Sequence, residues 1–203
     1  PALPQLLRRL VIMGGSFDYR GNTTPVAEWN TSVDPEATQQ VYAAWRDAQE
    51  LPIVLGLNLT ENVVMTPALL DRLAREADPQ AGAPDIGLQP NPLIRVLSDA
   101  MRFYFEFHES QGEGYLAHLH DPVAAAVALD PELVTCRPAA VDVELTGTLT
   151  RGMTIADWSG HWGREPHALI GVDVDPAAFF DRFITRVAGF ARQLAHSRPQ
   201  DHS

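Results

Sequence analysis

The sequence predicts an α/β fold, an open mixed sheet flanked by helices, and three observations carry that prediction. A short apolar run, "LVIMGG" (residues 10–15), is stopped by a glycine pair, as strands of parallel sheets often are. Helical segments then open repeatedly on a capping residue followed by proline: Asp34-Pro35, Thr66-Pro67 and Asp121-Pro122. From Val134 onward the apolar spacing changes to alternation, the signature of antiparallel strands. Strand and helix alternate along one chain, so a layered sheet is expected, with antiparallel pairing towards the end.

Each element has its own local reason. The run at 10–15 reads as a strand buried on both faces. "DPEATQQVYAAWRDAQ" (34–49) reads as a helix with Asp34 as N-cap and Pro35 at the first position; Val41, Ala44, Trp45 and Ala48 form its apolar face. "PIVLGLNLT" (52–60) is the next strand, and Thr66 caps "PALLDRLAREA" (67–77). "DPQAGAPDIGLQPNP" (78–92) is rich in Pro and Gly and reads as a loop or insertion. Helical periodicity resumes at Leu93 and runs to about Glu109, and "ESQGEGY" (109–115) is a second loop. "HLHDPVAAAVALDPEL" (118–133) enters a helix of small residues suited to close packing. "VTCRPAAVDVELTG" (134–147) and "HALIGVDVD" (167–175) are strands, with "MTIADWSGHWGREPH" between them as an exposed connection. The last helix, 176–195, sets Phe179, Phe180, Phe183, Ile184, Val187 and Phe190 on its apolar side. No repeat or low-complexity tract divides residues 1–203, so one domain is expected.

Composition narrows the function classes. The 203 residues are 45% apolar and 20% charged, with net charge -11 and pI about 4.9. So acidic a surface repels phosphate backbones and anionic lipid, which makes nucleic acid and membrane surfaces poor partners. Cys136 is the sole cysteine, so no internal disulfide forms, and its strand setting reads as structural. With no signal peptide and no bilayer-length apolar run, a cytoplasmic protein is expected. The N-x-[ST] triplets at Asn22, Asn30 and Asn58 read as chance matches in that setting. The sequence opens at Pro1 with a strand almost at once, as the middle of a larger protein would.

Two stretches carry candidate chemistry. "GNTTPVAEWNTSVDPEA" (21–37) follows the first strand, at the strand end where ligands of open α/β sheets bind. Asn22, Glu28 and Asn30 together offer amide donors, amide acceptors and a carboxylate, a set that grips vicinal sugar hydroxyls. A plainer reading stands beside it: Asn22 makes a turn, and Glu28 is solvated. "HLHD" holds His118, His120 and Asp121. His120 is a general acid or base near neutral pH, and Asp121 is either a hard-cation ligand or the N-cap of the helix that follows. The His-x-His pair is also a possible zinc pair, without a third ligand at helical spacing. Trp29, Trp45, Phe103, Tyr104, Phe105, Phe107 and Tyr115 read mostly as core; if Glu28 and Asn30 face a ligand, Trp29 faces the other way or forms a wall.

The stretch "VIMGGSFDYRGNTTPVAEWNTSVDPEA" resembles the central segment of the inosine-uridine preferring nucleoside hydrolase family: an apolar strand ending in Met-Gly-Gly, then Gly-Asn, Pro-x-Ala-Glu-aromatic-Asn and Asp-Pro-Glu-Ala. "HLHDPVAAAVALDPEL" resembles its second motif, and "LTRGMTIADWSGHWG" with "ALIGVDVDPAAFFDRF" resembles its C-terminal strands and last helix. The resemblance covers essentially the whole chain. It implies a Rossmann-like, nucleoside hydrolase-like sheet and hydrolysis of the N-glycosidic bond of purine or pyrimidine ribonucleosides, assisted by Ca²⁺. By position, it implies that Asn22 binds the 5′ side of the ribose, that Glu28 and Asn30 hold ribose hydroxyls, and that Met13 lines the ribose pocket. His120 would sit by the departing base as general acid, and Asp121 would ligate Ca²⁺.

The chain also departs from the pattern. Trp29 stands where Phe is expected, and the spacing from Met13 to Asn22 is about one residue longer. The family's Asp-x-Asp-Pro-Gly-x-Asp-Asp string, which supplies most calcium ligands and the water-activating base, does not occur; "VDVDP" (172–176) comes nearest. The resemblance therefore implies the central and C-terminal portion of such a hydrolase, without its first strands and weakly active or inactive alone. An open sheet edge would favour a homo-oligomer, dimer or tetramer. Two other functions compete: a non-catalytic remnant that binds a ribosyl ligand, and an unrelated metal hydrolase built on His118, His120 and Asp121.

Overall fold

The computed structural model describes residues 3–79 and 91–196. Most of the Pro/Gly-rich stretch at 78–92 thus lies outside the described residues. The chain gathers into two compact units, one of residues 1–63 and 119–175, the other of 64–118 and 176–203.

The first unit is the α/β sheet. In chain order it contains α1 (Leu3–Leu6), β1 (Val11–Met13), α2 (Trp29–Val33), α3 (Pro35–Ala44), β2 (Ile53–Leu55) and α4 (Leu57–Thr60). It also contains α7 (His120–Leu129), a 3₁₀ turn at Pro131–Leu133, β5 (Val134–Val143), β6 (Thr154–Asp157) and β7 (Ala168–Val174). Strand order is β1-β2-β7-β5-β6. β1, β2 and β7 run parallel, whereas β5 is antiparallel to both β7 and β6. The sheet is mixed, as the change of periodicity at Val134 predicts. Helix α7 packs on β1, α3 on β5, and α4 on β7.

Sequence chemistry explains the centre of this unit. Ile53, Val54 and Leu55 are all buried between neighbouring strands. At about 1.5–3 kcal/mol for each large apolar side chain removed from water, such triplets hold the sheet together. Val54, Val141 and Ile170 pack with Phe17 and Tyr42 in one core cluster. Cys136 is half-buried beside an irregularity in the β5–β7 register, and burial pushes its thiol up, which fits a structural cysteine.

Several expectations are corrected here. β1 is only half-buried, because it is the edge of the described sheet, with β2 on one side. The strand expected over 52–60 stops at Leu55; Gly56 then caps the short helix α4. α3 ends at Ala44, and its buried face is Pro35, Tyr42 and Trp45, whereas Val41 is exposed. The connection at 153–167 contains β6, which pairs with residues 140–143 of β5. Asp121 does not cap α7: Leu119 holds that position, without a side-chain bond, and Asp121 lies in the first turn. Asp34 and Thr66 do cap as predicted, accepting from Ala37 N–H and Leu69 N–H.

The second unit consists of β3 (Val64–Met65), α5 (Pro67–Ala77), α6 (Pro92–Ser110), β4 (Ala117–His118) and α8 (Pro176–His196). β3 and β4 form a two-stranded antiparallel ribbon. α8 packs on α5 and α6 through buried Phe179, Phe180, Ile184, Ala188 and Ala191. Phe190, expected on the apolar side, is exposed, as are Phe103 and Phe107 of α6. No described helix is long and apolar enough to cross a membrane.

Candidate active site

The candidate residues of the first motif converge after the carboxyl end of β1. The chain leaves Met13 through Gly14 and Gly15, and Gly15 takes φ 80°, a left-handed conformation that favours glycine. A Cβ there would also sit 2.9 Å from Thr154 Oγ1. The chain then forms a tight loop: Gly21 N–H donates to the Pro25 carbonyl, and the N–H groups of Asn22 and Thr23 donate to the Ala27 carbonyl. At Gly21 a Cβ would lie 2.3 Å from the Thr24 carbonyl oxygen, so only glycine fits this closure.

Glu28 is the hub of the loop. It is 2% exposed, so it is not a solvated side chain. Its Oε2 accepts from Gly15 N–H at 2.9 Å and Thr31 N–H at 3.0 Å, and its Oε1 accepts from Asn30 N–H at 2.7 Å. Glu28 thereby caps α2 and ties that helix to the turn after β1. Asn22 Oδ1 accepts from Trp29 N–H at 2.8 Å. The Asn30 amide donates from Nδ2 to the Met13 carbonyl at 3.3 Å and contacts Met13 Sδ at 3.2 Å. The structure therefore brings Met13, Asn22, Glu28 and Asn30 into one hydrogen-bonded assembly. Asn22 and Asn30 are exposed within it, and Trp29 beside them is 60% exposed, a wall rather than core.

His120 and Asp121 begin α7, the helix that packs on β1. His120 Nδ1 lies 2.8 Å from Thr60 Oγ1, and Thr60 Oγ1 also donates to the Gly56 carbonyl at 3.2 Å. With its proton on Gly56, the Thr60 hydroxyl accepts from His120 Nδ1–H, which fixes the ring. Thr60 belongs to α4, just past the carboxyl end of β2, and β2 runs parallel to β1. The first motif thus follows the carboxyl end of β1, and His120 is hydrogen-bonded to the segment that follows the carboxyl end of the adjacent parallel strand β2, the usual ligand position in open α/β sheets.

Three further residues support the turn after β1. Thr154 Oγ1, buried, accepts from Ser16 N–H at 2.8 Å and donates to the Ser16 carbonyl at 3.0 Å. Asn58 bridges Phe17 N–H and the Gly171 carbonyl. Glu61 receives both Tyr19 Oη and Arg20 Nη2 at 2.8 Å, and the Glu61 bond, with burial and the Glu61 charge behind it, raises the Tyr19 phenol. Their tertiary partners lie 41 to 138 residues away, so sequence reading had no local signal for them.

The metal expectations fare differently. Asp121 is exposed, and among the described residues no group of three His, Cys, Asp or Glu side chains gathers around it. One such group exists among the described residues, of His108, Glu113 and His118. The possible His-x-His zinc pair is therefore split, with His118 in that group and His120 on Thr60.

Comparison with known proteins gives the geometry its family. Residues 1–181 match the family described as inosine-uridine preferring nucleoside hydrolase. The chain is 35% identical, over 193 residues, to the pyrimidine-specific ribonucleoside hydrolase RihA of Salmonella typhi, covering 94% of this chain and 56% of that protein. Among solved structures, it is similar to a purine-preferring ribonucleoside hydrolase from Gardnerella vaginalis, at 28% identity and TM-score 0.76, covering 91% of this chain and 53% of the other. A plant nucleoside hydrolase is likewise similar, at 26% identity and TM-score 0.77, over 93% of this chain and 56% of the other. The chain thus spans about half the length of the curated relatives it matches. The match over residues 1–181 and the identity to such hydrolases over 94% of its length show that the chain belongs to the inosine-uridine preferring nucleoside hydrolase family.

Proposed function

We propose that the chain supplies the ribose- and base-facing residues of a ribonucleoside hydrolase site. The observation that carries this reading is the bonded assembly of Met13, Asn22, Glu28 and Asn30 beside the carboxyl end of β1. In the reaction, the C1′–N bond breaks, water oxygen joins C1′, and the base leaves with a proton. Asn22 and Asn30 hold ribose hydroxyls, Met13 lines the sugar, and Glu28 fixes the loop and lends negative charge near a sugar that becomes oxocarbenium-like. His120, as the imidazolium, gives a proton to the departing base and keeps the one on Nδ1, by which Thr60 holds the ring.

The family resemblance also implies Ca²⁺, with Asp121 as a ligand. Ca²⁺ takes about 6–8 oxygens. No second carboxylate-rich set surrounds Asp121 among the described residues, so the groups present do not fit that ion, and no step here runs through it. Nor do these residues include a base for the attacking water. The purified 203-residue chain is therefore expected to bind ribose or a nucleoside while hydrolysing inosine and uridine little. Calorimetry with ribose on wild type and Asn30→Ala checks the first part, and base release from inosine and uridine checks the second. Absence of ribosyl binding, or robust calcium-dependent turnover, would refute the reading. The lone Asp121 also favours a second reading, a ribosyl-binding protein without catalysis. It predicts binding with no base release even when calcium is abundant. A soluble homo-oligomer in the cytoplasm, with the half-exposed edge strand β1 at an interface, completes the proposal.

A further inference from the structure

The second unit holds a cluster that the proposed hydrolase chemistry does not use. Helix α6 ends in a Schellman motif: Glu113 N–H donates to the His108 carbonyl and Gly112 N–H to the Glu109 carbonyl, each at 3.0 Å, with Gly112 at φ 81°. This turn folds Glu113 back over His108. Its Oε2 lies 3.7 Å from His108 Nε2 and 4.0 Å from His118 Nε2. His118 belongs to β4, where pairing with Val64 fixes its register. One ligand atom from each of the three side chains lies within 4.8 Å of the others.

His108 is already set for ligation. Its Nδ1 lies 2.9 Å from the Tyr104 carbonyl oxygen. A carbonyl can only accept, so Nδ1 carries the proton and the Nε2 lone pair is on the Glu113 side of the ring. Ligating histidines nearly always have such a bond from their other nitrogen. The His108 side chain is 7% exposed and that of His118 15%, while Glu113 is 41% exposed. Two sheltered imidazoles and one accessible carboxylate make a sheltered pair with an entry path at its rim. Ligands at 2.0–2.1 Å from a tetrahedral ion stand about 3.3 Å apart. Glu113 Oε2, at 3.7 and 4.0 Å from the two imidazole nitrogens, is within about 1 Å of that spacing from each.

We infer that His108, Glu113 and His118 form a site for a borderline transition-metal ion, Zn²⁺ being the natural occupant for two imidazoles and a carboxylate. The ion clamps the end of α6 to β4 and keeps a fourth position for water. Nothing in this site depends on the ribosyl reading. To test it, the full 203-residue chain is stripped with a chelator and titrated with Zn²⁺ by calorimetry, and with Co²⁺ by visible absorption. One Zn²⁺ per chain is expected, together with the ligand-field bands of low-coordinate Co²⁺. Glu113→Gln, on an exposed side chain that the fold tolerates, and His118→Gln each weaken Zn²⁺ binding by at least about tenfold. Asp121→Asn leaves Zn²⁺ affinity within about twofold. Less than one Zn²⁺ per chain, or equal affinity in wild type and both site variants, overturns the inference. A loss of binding in Asp121→Asn would move the ion to the "HLHD" stretch and overturn it equally.

Discussion

Glu28→Ala removes one side chain and leaves three backbone donors without their acceptor. Gly15 N–H, Asn30 N–H and Thr31 N–H all point to a carboxylate that is 2% exposed. The Gly15 bond joins two segments in the buried turn after β1; a hydrogen bond to a charged acceptor there is worth about 1.5–3 kcal/mol. The other two bonds form an N-cap for α2, worth about 1 kcal/mol together, because water can replace part of them at the first turn of a surface helix. Glu28→Ala should therefore cost about 2.5–4 kcal/mol. Glu28→Gln keeps one oxygen for Gly15 and Thr31 but turns an amide NH₂ towards Asn30 N–H, for a cost of about 1–3 kcal/mol. Urea unfolding of wild type and both variants measures these values, with equal slopes as the check on two-state behaviour. A Glu28→Ala chain within about 0.5 kcal/mol of wild type would refute the claim that this carboxylate holds the loop. The same reasoning makes Asn30→Ala the cleaner probe of ribose binding, since it removes a contact without unlatching the turn.

Tyr42→Phe and Thr154→Val test the surroundings of that latch. Among the described residues the buried Tyr42 hydroxyl has no hydrogen-bond partner, and burial, followed by the charge of Glu28, pushes its phenol up. Removing it should leave stability unchanged or raise it by up to about 1 kcal/mol, seen as a melting point higher by about 2–4 °C; a clear loss would mean that the hydroxyl is bonded after all. Thr154→Val keeps the shape but deletes both bonds to Ser16, and should cost about 1–3 kcal/mol in urea unfolding. A neutral result there would show that β6 does not brace the turn after β1.

What was legible in the sequence was chemistry confined to a few neighbouring residues. Asp34-Pro35 and Thr66-Pro67 announced their helices because cap and first turn are adjacent in the chain. The sheet class followed from the change of apolar period. The buried face of α3 was set one residue off, because Val41 and Tyr42 are both apolar enough to be core and only β5 decides between them. Glu28 as a cap was not legible: the residue is an unusual N-cap, and the helix it starts has five residues. β6 has four residues with a single well-buried member, too short for alternation to be counted. The metal cluster needed a Schellman turn and a two-residue strand to bring together three residues spaced by five, which no helical or strand period predicts.

The loop's own bonding limits what a sugar can be offered. Asn22 spends its Oδ1 on Trp29 N–H, so its NH₂ is the group left for a ligand. Asn30 spends its NH₂ on Met13, so its Oδ1 is left. Glu28 accepts three bonds and has one further acceptor site on Oε1. The assembly thus offers one amide donor, one amide acceptor and the remainder of a carboxylate. A pair of vicinal hydroxyls can satisfy all of these, because each hydroxyl donates once and accepts as well. A phosphate cannot, since it brings almost only acceptors to a site with one donor, one amide acceptor and a carboxylate. On the proposed function, the bonding that makes the loop rigid also favours an uncharged polyol, held without the cost of reorganising the turn that grips it.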